Sequence, residues 1–186
     1  RLLLRLMTAF VPAALVGLLL GDTIKAELFG PWPVVAAWMA GGIFLVWWNP
    51  RPGPTELTAF TARNAAIIGV AQILALWPGM SRSLVTIAAA LAIGATMAAA
   101  VEFSFLLGLA TLSAATFYDL AQDGQTILDE YGWRTPLLGG IVAFVTAAIA
   151  VRWLVTFLRT RPLSVFGWYR IGIAIATASL IAVGVI

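Results

Sequence analysis

The chain has 186 residues, of which 62% are hydrophobic and only 10% charged, with a formal net charge of +3. With a mean hydropathy of +1.00 its natural solvent is lipid, so it reads as an integral membrane protein. Cysteine and histidine are both absent, which excludes disulfides, Cys-ligated zinc, thiol catalysis and the usual general base at neutral pH.

The isoelectric point near 10.0 suggests nucleic acid at first sight, but the basic residues are scattered between apolar runs and are better explained by membrane topology. The opening stretch, RLLLRLMTAFVPAALVGLLLGD, has the basic start and apolar run of a signal peptide. It is long enough to span and lacks an A-x-A type cleavage site, so it reads as a spanning helix. The chain has no initiator Met and reads as a fragment of something longer.

Five stretches are long enough to cross the roughly 30 Å of hydrocarbon at helical rise: about 2–20, 32–48, 98–118, 135–158 and 166–186. The connectors GDTIKAELFGP, NPRPGPTELTAFTARN and AQDGQTILDEYGWR carry the Pro, Gly, Asp and Asn that punctuate helices. Trp32, Trp47, Trp48, Trp133 and Trp168 fall near span ends, as interfacial anchors do.

Residues 64–94, NAAIIGVAQILALWPGMSRSLVTIAAALAIG, are apolar enough to be buried but are cut by Pro78-Gly79. Two full crossings need about 40 residues, so the segment is one broken span or a re-entrant hairpin of two half-helices. Charge decides between them. With Arg1 and Arg5 in the cytoplasm, Arg51 and Arg63 are inside, and a hairpin that returns puts Asp119, Asp123, Asp129 and Glu130 outside. Arg152, Arg159, Arg161 and Arg170 then lie at the final cytoplasmic turn. A single crossing would put that basic cluster outside. The expected architecture is therefore all-α and polytopic, with about five spanning helices and one re-entrant helix-loop-helix hairpin over 64–94, in a single transmembrane domain covering 1–186. Irregular backbone at membrane depth survives only beside protein or a water-filled cavity, so the hairpin is expected to line one.

Within the hairpin, an arginine at the bilayer centre costs at least about 2.5 kcal/mol on insertion scales and is a functional hypothesis by default. Arg82 is such a residue. Pro78-Gly79 ends one half-helix, Ser81 or Ser83 can cap the next, and Thr86 lies one turn in. A half-helix starting near residue 84 would aim free N–H groups and its positive dipole end at whatever sits beside Arg82. A planar guanidinium fork and three hydroxyls suit phosphate oxygens. The plainer reading is close helix packing through Ser and Gly, with Arg82 snorkelling or paired with Glu102. The coincidence of a helix break, a glycine and three hydroxyls favours the phosphate cradle.

PGMSRSLVT, Pro78 to Thr86, resembles the PGxSRSxxT signature of the bacterial undecaprenyl-pyrophosphate phosphatase family, also called bacitracin-resistance proteins. GVAQILALWPG before it, EFSFLLG at Glu102 to Gly108 and FGWYRI at Phe166 to Ile171 are similar to that family in the same order. The resemblance covers essentially the whole chain. Leu84 stands where members commonly have Gly, and Ala110 where they often have Pro. The family's upstream re-entrant repeat, with paired glutamates followed by Ser and His, has no counterpart here, so the chain resembles the C-terminal two-thirds of such an enzyme and half of its inverted-repeat architecture.

The resemblance implies a multi-pass enzyme of the bacterial inner membrane that converts undecaprenyl pyrophosphate to undecaprenyl phosphate, recycling the cell-wall lipid carrier. In that reaction Arg82 would clamp the pyrophosphate and stabilise charge on the equatorial oxygens, with Ser81, Ser83 and Thr86 as hydroxyl donors. Binding suits the serines better than nucleophilic attack, because no base to activate them is present. Gly79, Gln72 and Glu102 are substrate-side candidates, although Gln72 could equally bridge two helices and Glu102 could sit in the interface. A divalent cation, Mg²⁺, is expected from the family, with carboxylate ligands mainly in the absent repeat. The expected partners are the polyprenyl pyrophosphate lipid and the bilayer, with a homodimer and a separately supplied N-terminal segment left open and nucleic acid excluded. The acidic stretch at 119–130 matches no calcium loop and is expected to be a solvated outer loop. Two competing readings share these residues: a transporter or flippase of an anionic polyprenyl phosphate, which would use the same cradle without hydrolysis, and a structural membrane subunit.

Overall fold

The computed structural model describes residues 2–48, 50, 52–160 and 162–184. Arg1, Arg51, Arg161 and the side chain of Arg159, which enter the topology argument, lie outside the described residues, as do the last two residues of the fifth expected span. Seven α-helices follow one another among the described residues: α1 (Leu2–Leu28), α2 (Pro31–Trp47), α3 (Ala62–Gln72), α4 (Arg82–Ala92), α5 (Met97–Tyr131), α6 (Arg134–Thr160) and α7 (Ser164–Ala182).

Four of them, α1, α5, α6 and α7, are long and apolar enough to cross a membrane. The second expected span, α2, has 17 residues, about 25 Å at helical rise, which is short of a full crossing. Two expected connectors are helical instead. The GDTIKAEL portion of the first extends α1 to Leu28, and the acidic stretch 119–130, expected as a loop, is the C-terminal part of the 35-residue α5. The reason is local. Both stretches are rich in Leu, Ala, Gln, Glu and Lys, which favour helix, and the single Gly124 costs only about 1 kcal/mol. The chain turns only at stronger signals, Gly30-Pro31 and Gly132 (φ +65).

The chain divides into two compact units, residues 1–110 with 163–186, and residues 111–162. The second holds the rest of α5 and all of α6, whose side chains from Arg134 to Trp153 are exposed. The first unit carries the hairpin. In it α1 packs on α3, and α2 on α7. Both pairs approach through glycine. A Cβ on Gly69 would lie 2.5 Å from the Ala9 carbonyl oxygen, and one on Gly42 would lie 2.9 Å from the Gly167 oxygen, so the backbones touch as small residues allow between apolar helices.

The segment expected as a hairpin is a helix, a break and a helix. Thr61 and Asn64 form a reciprocal capping box that starts α3. A 3₁₀ turn over Ile73–Leu76 continues it, residues 77–80 turn, and α4 follows, packed against α3. The two arms meet again at their far ends. Gly53 and Thr55 donate backbone N–H groups to the Ala95 and Gly94 oxygens, both at 3.0 Å, and Thr96 donates to the Thr55 oxygen at 2.9 Å. The chain therefore enters and leaves the hairpin at one place. Phe60 and Phe103, both fully buried with ring centroids 5.2 Å apart, pin this neck to α5. Arg5 adds a bond from α1 to the Thr58 oxygen at 3.0 Å.

Candidate functional site

The break is built by three residues with different tasks. Pro78 cannot donate a backbone hydrogen bond, so the first arm stops. Gly79 has φ +91, and a Cβ there would lie 2.9 Å from the Val34 oxygen, so both conformation and space require glycine. Ser81 has φ +65 and ψ 107, and among the described residues it is the one non-glycine with positive φ. Such strain persists only where the surroundings enforce it, and it concentrates at ligand clamps and active sites. Ser81 is also the N-cap of α4, accepting from the Leu84 N–H at 3.4 Å. The helix accordingly begins at Arg82, two residues before the expected start near residue 84.

Arg82 is half-buried at the first position of α4. Its Nη1 donates to the Gly108 carbonyl of α5 at 2.9 Å. Gly108 makes the room, since a Cβ there would lie 2.6 Å from Nη2 of Arg82. The guanidinium is thus fixed beside the positive end of α4, where an anion is favoured. Ser83 is half-buried and Ser81 exposed at the same place.

Thr86 is 1% exposed, and its hydroxyl lies 2.6 Å from that of Ser104 on α5 and 2.9 Å from the Arg82 carbonyl to which it donates. Its hydroxyl is turned into the α4–α5 contact. Thr86→Val is expected to cost about 1–3 kcal/mol by leaving the Ser104 hydroxyl unpaired, whereas the Thr86→Val, Ser104→Ala pair should recover most of that, read as thermal melting in detergent. Gln72 is 3% exposed, at the end of α3, and its Oε1 has no hydrogen-bond partner among the described residues. Glu102 is exposed on α5. The structure therefore brings Gly79, Ser81, Arg82, Ser83 and Thr86 together around one break and leaves Glu102 on the surface. No group of three or more His, Cys, Asp or Glu side chains comes together among the described residues.

Three participants are not singled out in the sequence for a role at the break, although they lie in the EFSFLLG and FGWYRI stretches that resemble the family. Gly108 and Ser104 sit inside an apolar helix, and Arg170 reads as one of several topology charges. Yet Arg170 reaches from α7 to the break, its Nη2 donating to the Gly79 oxygen at 2.6 Å and the Ala37 oxygen at 3.1 Å. On the far side of the turn, Trp77 Nε1 donates to the Pro33 oxygen at 3.1 Å. Beside the loop an apolar cavity of about 510 Å³ runs between α2, α3 and α4, lined by Gly41, Phe44, Leu74, Met80, Leu84 and Ala88 among others.

The family profile of the bacitracin resistance protein BacA matches residues 1–176. The chain belongs to the BacA family. Among its BacA relatives, an undecaprenyl-diphosphatase of Sorangium cellulosum is 43% identical over 93% of the chain and 59% of its own length. One of Nitrosospira multiformis is 42% identical over 94% of the chain and 65% of its own length. Undecaprenyl-diphosphatase 2 of Rhodospirillum rubrum is 41% identical over 93% of the chain and 65% of its own length. The chain thus spans between 59% and 65% of the length of these BacA relatives. Together with the four apolar helices, membership makes it a multi-pass membrane protein.

Proposed function

We propose that this chain supplies the phosphate-binding half of an undecaprenyl-diphosphatase of the bacterial inner membrane. The observation that carries the reading is the strained Ser81 with Arg82 fixed beside it at the start of α4. An arginine, a helix N-terminus and hydroxyls converge there on one point. In the reaction water adds to the terminal phosphorus, the bridging P–O bond breaks, and inorganic phosphate leaves from undecaprenyl phosphate. Arg82 and the α4 N-terminus would hold the diphosphate and neutralise charge that grows on the oxygens in the transition state. Ser81 and Ser83 would donate hydrogen bonds to it. Thr86, turned toward Ser104, would set the position of α4 instead of touching substrate.

The hairpin would be re-entrant. The arms of 11 plus 4 and of 11 residues measure about 22 and 16 Å at helical rise, each too short to cross, and the neck at Thr55 and Ala95 returns the chain to the side it came from. The cavity beside Met80 and Leu84 would take the first isoprene units of the lipid, with the diphosphate at the break. Ala88→Trp, filling that cavity, should raise KM for undecaprenyl diphosphate roughly tenfold and leave that for a short prenyl diphosphate within a factor of about two. Equal effects on both would remove the tail from this cavity.

A divalent cation would be held mainly by carboxylates of the rest of the gene product together with the substrate phosphates. Hydrolysis is favoured over lipid carriage by the name that the relatives bear. The deciding experiment is phosphate release from undecaprenyl diphosphate by the full gene product in detergent. Release supports the phosphatase. Lipid binding without release would support a carrier of the same lipid.

A further inference from the structure

We infer that Arg170 is a positioning residue that holds the Pro78–Ser81 turn in its active shape from α7, an inference that rests on the phosphatase reading of that turn. Its place is costly to build. Arg170 is half-buried within an apolar helix, its Nε is buried without a partner among the described residues, and its Nη2 donates to two main-chain carbonyls, those of Ala37 and Gly79. A charged side chain in such surroundings is retained where it serves a function.

The surrounding glycines make the reach feasible. Gly42 and Gly167 let α2 and α7 touch, each lying where the other's Cβ would meet a carbonyl oxygen, at 2.9 and 2.8 Å. One residue before Gly42, Gly41 leaves the space that the guanidinium occupies, since a Cβ there would lie 2.5 Å from Nη2 and 3.0 Å from Cζ. The arginine thus crosses α2 through a glycine notch and ends on the Gly79 oxygen, two residues before the strained Ser81. Gly79, with φ +91, lies outside the helical backbone range, so its carbonyl needs a partner from elsewhere. The 2.6 Å bond from a charged donor satisfies that carbonyl and fixes the peptide that follows it. Arg170 touches no reacting atom in this account; it sets where Ser81 and Arg82 stand.

The experiment uses the full gene product with Arg170→Met, Arg170→Lys and Gly41→Ala. For Arg170→Met, kcat should fall about 100-fold with KM within a factor of about three, and with the melting transition retained. Arg170→Lys should recover part of kcat, since an ammonium can still donate to one carbonyl. Gly41→Ala keeps the arginine but fills its notch, so it should reproduce the loss and add nothing to Arg170→Met. A separate reading needs no turnover: a thiol at Ser81→Cys should react several-fold faster with a small maleimide when Arg170→Met is added. Unchanged kcat in folded variants, effects of Gly41→Ala and Arg170→Met that multiply, or unchanged thiol reactivity would overturn the inference. If the native protein releases no phosphate, the phosphatase reading fails, while the thiol measurement still decides whether Arg170 holds the turn.

Discussion

Arg82→Ala in the full gene product is expected to lower kcat for undecaprenyl diphosphate by about 10²–10³-fold, the range for losing one preorganised donor to a developing oxyanion. The fold should survive, because the bond lost to Gly108 lies at the first residue of α4 and the Ser81 cap remains. Arg82→Lys tests geometry apart from charge. The Gly108 carbonyl holds a planar fork in one orientation, and a lysine ammonium cannot present two parallel donors to a phosphate. The lysine variant should therefore bind the lipid better than the alanine variant but recover little of kcat. Recovery of more than about a tenth of the native kcat by Lys would mean that Arg82 acts only as a point charge.

Gly79→Ala is expected to be strongly damaging to the turn of the hairpin. Its φ of +91 places a side chain in disfavoured backbone space, and the new Cβ would lie 2.9 Å from the Val34 oxygen and 3.2 Å from Ala37 Cβ. Strain and overpacking together should cost roughly 2–5 kcal/mol, read as a lowered melting temperature and lost activity. Gly132→Ala is the matched control. Its φ is +65, but nothing lies within 4 Å of the added atom, so only the backbone cost of about 1–2 kcal/mol applies. Equal shifts for the two would show that the Val34 contact yields freely.

The break was legible in the sequence because its signals are local. Pro78-Gly79 must interrupt a helix, and a serine beyond it must cap the next one, so two arms and a turn follow from the chemistry of five residues. Arg82 stood out for the same reason, as a charge where apolar residues surround it. What was hidden depends on distant partners. Whether the Thr86 hydroxyl faces a ligand or the core turns on Ser104, 18 positions away. Arg170 meets Gly79 across 91 positions, and no periodicity signals such a pair. Helix ends were misplaced for another reason: hydropathy marks where apolar residues stop, whereas α1 and α5 stop only where glycine and proline intervene. The first span runs through Pro12 without a break, as expected, since neighbouring helices permit proline within helices of membrane proteins.

The backbone bonds among Gly53, Thr55, Gly94, Ala95 and Thr96 close the intervening chain into a ring. A ring has no free end from which to fray. Neither arm of the hairpin can be drawn out while the clasp is shut, and once it opens both arms lose their shared anchor together. The two half-helices and the turn between them therefore behave as one cooperative unit, whose integrity is decided at four half-buried residues and the buried Ala95, away from Arg82.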